Sequence, residues 1–115
     1  MSIVAISHVV NVLVAGIIGL AILGGSPRMT SVYGEDSPAR RILACLYLAI
    51  AAASVYALLD PERLIAVAVV LFPIQIVYKL LTLVAVRDRR NPVPWWNLAI
   101  SVLHTVSLGT IRFTP

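Results

Sequence analysis

Charged residues are missing from most of this 115-residue chain, and they make up only 12% of it. No charge occurs in residues 1–23 or 42–59, Lys79 alone interrupts residues 64–86, and His104 is the only titratable group in residues 91–111. Hydrophobic residues reach 60%, and the mean hydropathy is +0.96. Water could not solvate such a surface on a monomer, so the composition predicts a membrane protein covered by lipid.

Acidic residues are also scarce, and all of them fall between the apolar runs: Glu35, Asp36, Asp60, Glu62 and Asp88. A proton-coupled antiporter of this size generally carries a carboxylate inside a span, so this class is disfavoured. The single Cys45 excludes an internal disulfide and a paired thiol metal site. The sequence shows no nucleophile accompanied by a general base and a group that orients the base, and no metal-ligand spacing. It therefore predicts a non-catalytic protein without a metal.

Four apolar runs are each about long enough to cross ~30 Å of hydrocarbon as a helix. They do not alternate with a period of two, which favours helices over a barrel. The prediction is an all-α, four-transmembrane-helix bundle forming one domain over residues 1–115, with helices at 3–23, 38–59, 61–86 and 94–113. Ser37-Pro38 and Asp60-Pro61 place a capping oxygen before a first-turn proline. The connection 24–37 is expected to be flexible, with its glycines ending the first helix.

Basic residues cluster on one side of this predicted bundle. Six arginines lie in connections 24–37 and 87–93 or at their borders, Lys79 lies nearest that side, and only Arg63 and Arg112 lie opposite. The positive-inside rule then places both connections in the cytoplasm and both termini outside, in a bacterial-type inner membrane. Trp95 and Trp96 would mark the inner interface, and Tyr56 and Phe113 the outer one. The net charge of +4 would face anionic lipid headgroups and not nucleic acid.

The third apolar run carries the densest set of polar groups at membrane depth. Gln75, Tyr78, Lys79 and Thr82 are spaced to share one helix face, below Pro73. One interpretation is a polar seam that binds a polar or anionic headgroup, with Tyr47 and His104 completing a site between helices 2, 3 and 4. The other interpretation is that Lys79 snorkels to the cytoplasmic surface, while Gln75 and Tyr78 make ordinary interhelical hydrogen bonds.

Two histidines lie in apolar runs, and two inward histidines in a four-helix bundle can in principle hold a haem iron. The depths of His8 and His104 differ by roughly 7 Å at 1.5 Å per residue, which argues against haem. No cofactor is predicted, although haem and quinone stay open. The alternative pairs His8 with Asn11 and bonds His104 to Ser101, Tyr47 or Gln75.

Small residues indicate close helix packing in the first two runs. Gly16 and Gly19 in the first helix, and the cluster around Ala52 in the second, permit close approach of backbones. A bundle this small also exposes much lateral surface relative to its core. Its size therefore predicts packing against other membrane protein subunits as well as lipid.

The stretch Ala39-Arg40-Arg41-Ile42-Leu43-Ala44, running into Leu46-Tyr47-Leu48-Ala49 and followed by Asp60-Pro61-Glu62-Arg63, resembles the middle of small four-helix DoxX-like membrane proteins. The resemblance covers roughly helices 2 to 4. It implies a compact four-helix fold, in a family with some members linked to quinone-coupled oxidoreductase complexes as small subunits. It transfers no catalytic residue.

Two functions follow as expectations. The first is a non-catalytic integral membrane subunit or accessory of a larger membrane assembly, with a link to redox complexes. The alternative is a small carrier or lipid/quinone-binding membrane protein with a polar site around Tyr47, Gln75, Tyr78, Lys79 and His104.

Overall fold

The structure is a computed structural model, and it describes residues 1–111. Over these residues it is all-helical, without strands. The helices are α1 (Ile3–Leu23), α2 (Pro27–Tyr33), α3 (Pro38–Leu58), α4 (Pro61–Ala85) and α5 (Val93–Thr110). Arg112 and Phe113, used above for the orientation, lie outside the described residues.

Three of these helices, α1, α3 and α4, are long and apolar enough to cross a membrane. Helix α5 has 18 residues, or about 27 Å at 1.5 Å per residue, and it carries Asn97, Ser101, His104 and Ser107 on its buried face. The membrane-protein prediction is therefore supported by three helices. The fourth span stays a prediction.

The helix ends follow from local capping chemistry. The Ser37 side chain accepts from Arg40 N at 3.1 Å, and Asp60 Oδ1 accepts from Glu62 N at 2.9 Å, each just before a first-turn proline. Helix α1 ends at Leu23, and the chain then turns at Gly25, whose φ of 72° suits a residue without Cβ. Ser26 N donates back to Ala21 O at 3.1 Å. The expectation that glycine ends the first helix is met.

Four long helices pack side by side around a core that contains two apolar clusters. One cluster centres on Ile22, Ala44, Tyr47 and Ile50, and the other on Val4, Ala68 and Phe72. Helices α3 and α4 form a hairpin through the Leu59-Asp60 turn, and α5 packs along α4. Helix α1 closes the bundle, since its N-terminal part contacts α3, α4 and α5.

The connection expected to be flexible instead contains the short helix α2. The buried Arg40 of α3 holds it in place, because its Nη1 donates to Thr30 Oγ1 at 3.1 Å and to Gly34 O at 2.6 Å. Asn91 Nδ2, from the last connection, donates to Val32 O at 2.8 Å. Seven residues make a marginal helix alone, so these tertiary bonds explain why local sequence did not reveal it.

The close helix approach expected from small residues occurs between α1 and α3. A Cβ built on Gly19 would lie 3.0 Å from Leu48 Cγ and 3.2 Å from the Ala44 carbonyl oxygen. At Gly16 the nearest atom would be Ala51 Cβ at 3.7 Å. Within the alanine cluster of the second run, Ala51 faces α1, whereas the side chain of Ala52 is exposed.

Candidate functional site

A cavity of about 550 Å³ lies between α1 and α5. The two helices run antiparallel and meet where the hydroxyls of Ser7 and Ser107 hydrogen-bond. Their contacts concentrate at this end, so the remainder of α1 diverges from α5 and leaves a wedge. Most of the wall is apolar; the lining residues with polar side chains are Asn11, Tyr33, Tyr47, Gln75, Lys79, Trp96 and Asn97.

The α1 wall of the cavity contains a change in helix type. Residues Asn11–Ala15 form a π-helical turn within α1, and three of its residues besides Asn11 line the cavity. A π turn inserts an extra residue and rotates the side chains that follow, and such turns are frequent at functional sites. Its first residue, Asn11, is 3% exposed and continues the buried face of Val4, Ser7 and His8.

Asn11 links three other helices through hydrogen bonds at the base of the cavity. Its Nδ2 donates to Ser54 Oγ at 3.0 Å and to Gln75 Oε1 at 2.8 Å. Its Oδ1 accepts from Gln75 Nε2 at 3.0 Å and from His104 Nε2 at 3.1 Å. The side-chain amides of Asn11 and Gln75 thus satisfy each other, as buried polar groups in a bundle must.

Both histidines are fully buried and hydrogen-bonded, and His104 Nδ1 alone among their ring nitrogens has no partner within residues 1–111. His8 Nε2 donates to the Leu64 carbonyl at 3.0 Å, and its Nδ1 bonds Ser54 Oγ at 3.1 Å. His104 bonds Asn11 and none of its three expected partners, because α1 packs directly against this part of α5. Phe72 lies between the two rings, with centroids 4.7 Å from His8 and 4.3 Å from His104. The two imidazoles therefore do not face one common iron position.

Lys79 lies inside the bundle and lines the cavity, with 6% of its surface exposed. The snorkelling alternative is wrong in this structure. Its Nζ donates to Asn97 Oδ1 at 3.2 Å and lies 5.1 Å from the Tyr78 ring centroid. Asn97 is oriented in turn by Thr82, whose Oγ1 accepts from Asn97 Nδ2 at 3.1 Å.

Tyrosine hydroxyls gather at the α2 end of the cavity. Tyr47 OH donates to Tyr33 OH at 3.4 Å, and the two rings meet edge to face. Burial, more than any neighbouring group, raises the pKa of Tyr33, so its hydroxyl keeps its proton. The buried Tyr78 hydroxyl has no hydrogen-bond partner within residues 1–111. These groups supply neutral O–H donors beside an apolar space.

The mouth of the cavity faces sideways, toward the surface that lipid would cover. Three large lining residues are strongly exposed: Leu13 (54%), Ile17 (64%) and Trp96 (67%). A molecule that entered here would pass apolar side chains before reaching the polar base. The arrangement can therefore hold an apolar body and bond a polar group at its inner end.

Of the five residues predicted for the binding site, Tyr47, Gln75 and Lys79 line the cavity, whereas Tyr78 and His104 lie behind its surface. The site draws on α1 and α2 as well as on the three helices expected. Asn97 was missed, although the spacing of Asn97, Ser101 and His104 on one helix face indicates a buried polar stripe. Asn11 was considered only as a partner of His8, although Val4, Ser7, His8 and Asn11 recur at the spacing of one helix face.

No group of histidine, cysteine and acidic residues within 1–111 has the arrangement of a metal site. Comparisons of the chain with protein-family models, with curated proteins and with solved structures found no match.

Proposed function

We propose that this protein is a membrane-embedded binding protein that takes up a lipid-soluble molecule with one polar end. The observation that carries the proposal is the cavity of about 550 Å³ that opens sideways between α1 and α5 and ends at Asn11, Gln75, Lys79 and Asn97. Ligand sites in proteins measure about 300–1,000 Å³ and combine apolar walls with a few convergent polar groups.

The walls of the cavity are apolar, whereas its base carries polar side chains. Polar groups at membrane depth are costly, and they are tolerated where they pair or line a cavity. Asn11 and Gln75 bond each other, whereas the Lys79 ammonium has one protein acceptor. A ligand that buries its apolar part against Leu13 and Ile17 would gain contacts at the walls and hydrogen bonds at the base.

The proposal includes a membrane arrangement with α5 as a fourth span and both termini outside. The packing of α5 against α4 and α1 supports the fourth span, because the Ser107 and His104 side chains point inward. The basic connections support the orientation through the positive-inside rule. Trp95 and Trp96 are half or more exposed on the side of these connections, as interfacial indoles are.

The role as an accessory subunit of a larger assembly, and the likeness to DoxX-like proteins, stay predictions. The exposed apolar surface that would meet other subunits is equally suited to lipid. A quinone belongs to the class of molecules that the cavity would accept, because it joins a polar ring to an apolar tail. A redox link would therefore act through the bound molecule and not through a metal held by the histidines.

Tryptophan fluorescence offers a direct test, because Trp95 and Trp96 are the two tryptophans of the chain and only Trp96 lines the cavity. The Trp95→Phe protein, reconstituted in nanodiscs, is titrated with a single-chain alcohol that carries a dibrominated chain, since bromine quenches indole on contact. We expect saturable quenching at one probe per chain, above the linear quenching caused by probe in the bilayer. The Trp96→Phe protein should show the linear part alone.

A pair of filling substitutions controls for changes in the bilayer. Ala99 and Ala52 are both exposed on helices, but only Ala99 lines the cavity. Ala99→Phe should remove the saturable quenching, and Ala52→Phe should keep it. Saturable quenching that survives Ala99→Phe, or none in the starting protein, would contradict the proposed function.

A further inference from the structure

Lys79 is the one charged side chain that lines the cavity among the described residues. An ammonium carries three N–H donors, and within residues 1–111 only one finds a hydrogen-bond acceptor, Asn97 Oδ1 at 3.2 Å. The side chain is 6% exposed, so water does not fully solvate the remaining donors. A buried cation without an opposite charge is costly unless it is paired.

No acidic residue of the described chain pairs with Lys79. The five acids lie at residues 35, 36, 60, 62 and 88, outside the membrane-embedded parts of the helices, and the one ion pair within residues 1–111 joins Arg41 to Asp36. The amide of Asn97 is held by Thr82, so it positions the ammonium without neutralising it. The positive charge is thus directed at the cavity.

Other donors line the same cavity. Tyr33 accepts from Tyr47 at 3.4 Å, and its own hydroxyl hydrogen finds no acceptor within residues 1–111. Both tyrosines line the cavity together with Lys79. Donors thus outnumber acceptors among the polar groups that line the cavity, which suits a ligand group with several lone pairs.

We propose that the bound molecule is an anionic amphiphile, whose carboxylate or phosphate head meets Lys79 while its apolar chain leaves between α1 and α5. This inference rests on the proposed function, which requires only a polar end. A charge-assisted hydrogen bond to a buried ammonium is roughly twice as strong as a neutral one, so a charged head is preferred to an uncharged head of similar size. The chain runs along the apolar walls to the mouth at Ile17 and Trp96.

The test compares two probes with the same dibrominated chain, a monoalkyl phosphate and the matching alcohol, in the Trp95→Phe protein. We expect the phosphate to bind at least about tenfold more tightly than the alcohol. Lys79→Met should bring the ratio of the two affinities near one while the alcohol still binds. Arg89→Met is the matched control, because it removes an exposed cation from the adjacent connection and should keep the ratio.

Asn97→Asp gives a second variant that keeps Lys79 and the shape of its neighbour. The new carboxylate would pair with the ammonium and should lower the affinity for the phosphate probe, with little effect on the alcohol. If Lys79→Met does not fold, this variant decides the question. An unchanged phosphate-to-alcohol ratio in Asn97→Asp would then overturn the inference.

The possible outcomes separate the two proposals. Equal binding of alcohol and phosphate to the starting protein overturns the anionic head group and leaves the cavity as a binding site. Binding of neither probe overturns both proposals. Inorganic phosphate distinguishes the source of the anion: it should not displace the alkyl phosphate at equal concentration, and displacement would show that a free anion suffices, against an amphiphile.

Discussion

The hydrogen bonds between helices in the interior of the bundle meet at Asn11. Four hydrogen bonds join its amide to Ser54, Gln75 and His104, on three other helices. Its replacement by an apolar side chain removes these bonds from the buried Gln75 and His104 side chains, while Ser54 keeps its bond to His8 Nδ1. The effect on stability should therefore exceed that of any single lost contact.

We expect Asn11→Leu to lower the free energy of unfolding by about 2 kcal/mol, since interhelical hydrogen bonds in membranes average about 0.6 kcal/mol each and four are lost. Reversible unfolding in mixed micelles measures the change. Thr105→Val is the control and should cost little, because the Thr105 hydroxyl bonds only the Ser101 carbonyl of its own helix. In the double variant Asn11→Leu/Gln75→Leu the cost should fall below the sum of the single variants, whereas additive costs would disprove the coupling.

Two glycines of α1 allow the packing of α1 against α3 to be tested with a matched pair of substitutions. A Cβ on Gly19 would meet the Ala44 carbonyl at 3.2 Å, which is backbone and cannot move aside, whereas a Cβ on Gly16 makes an ordinary contact at 3.7 Å. Gly19→Ala should therefore be less stable than Gly16→Ala by about 1 kcal/mol or more. Thermal unfolding of both variants in the same bilayer tests this, and equal stabilities would show that α1 and α3 are not so close.

At the scale of the elements, α2 shows how a tertiary contact creates a helix that propensity alone would not. Burial of Arg40 under α2 gives its Nη1 two acceptors, Thr30 Oγ1 and Gly34 O. The neighbouring Arg41 makes a bidentate pair with Asp36, at 2.8 and 2.7 Å, but that pair is exposed. Arg40 therefore holds α2 against the bundle, whereas the exposed pair of Arg41 with Asp36 contributes little to stability.

We predict that Arg40→Met releases α2, seen as amide hydrogen exchange over residues 27–33 that is faster by at least about tenfold, since tenfold corresponds to 1.4 kcal/mol and charged hydrogen bonds contribute about that much or more. Arg41→Met should leave the exchange nearly unchanged, because exposed ion pairs contribute little. Protected α2 amides in Arg40→Met would contradict this role.

Acidification provides a further check on the exposed pair. The hydrogen bonds from Arg41 hold the pKa of Asp36 below its ordinary value. The pairing therefore contributes at neutral pH and is lost only as the pH falls through that lowered pKa. Protection factors of the α2 amides, which correct for the pH dependence of intrinsic exchange, should therefore stay constant through the lowered pKa of Asp36, because Arg40 holds α2 in place. A loss of protection as the pH falls through that pKa would assign the docking to Asp36 and not to Arg40.

The helices were largely predictable, because uncharged runs and a capping residue before proline are properties of the sequence itself. Elements that depend on contacts were not predictable. The π turn at Asn11–Ala15 has no sequence signature, and the bond of His104 to Asn11 depends on how α1 meets α5. The burial of Lys79 depends equally on Asn97, which lies 18 residues away on the next helix.

On the scale of the whole molecule, the distribution of charge sets the expected orientation in the membrane. Cysteine labelling in a Cys45→Ala background tests this orientation. Glu62→Cys lies in the first turn of α4, and Arg90→Cys lies in the connection beyond its last turn. An impermeant thiol reagent should label Glu62→Cys in intact cells and should reach Arg90→Cys only after lysis. The reverse pattern would invert the orientation, and labelling of both positions would argue against α4 as a span.

The site follows from the way the whole bundle closes. Ser7 and Ser107 join α1 to α5 at one end, and the divergence toward the other end opens the cavity. The candidate polar residues on α4 were predictable from their spacing, since Gln75 and Lys79 share a helix face. The α1–α5 opening was not, because it depends on how two segments far apart in sequence meet.

Native mass spectrometry of the protein, gently extracted from its own membrane, tests the binding function most directly. We predict one small amphiphilic molecule per chain, retained by Ala52→Phe and lost from Ala99→Phe, which fills the cavity without altering its polar base. A chain that carries no such molecule, or one that retains it equally in both variants, would contradict a ligand site between α1 and α5.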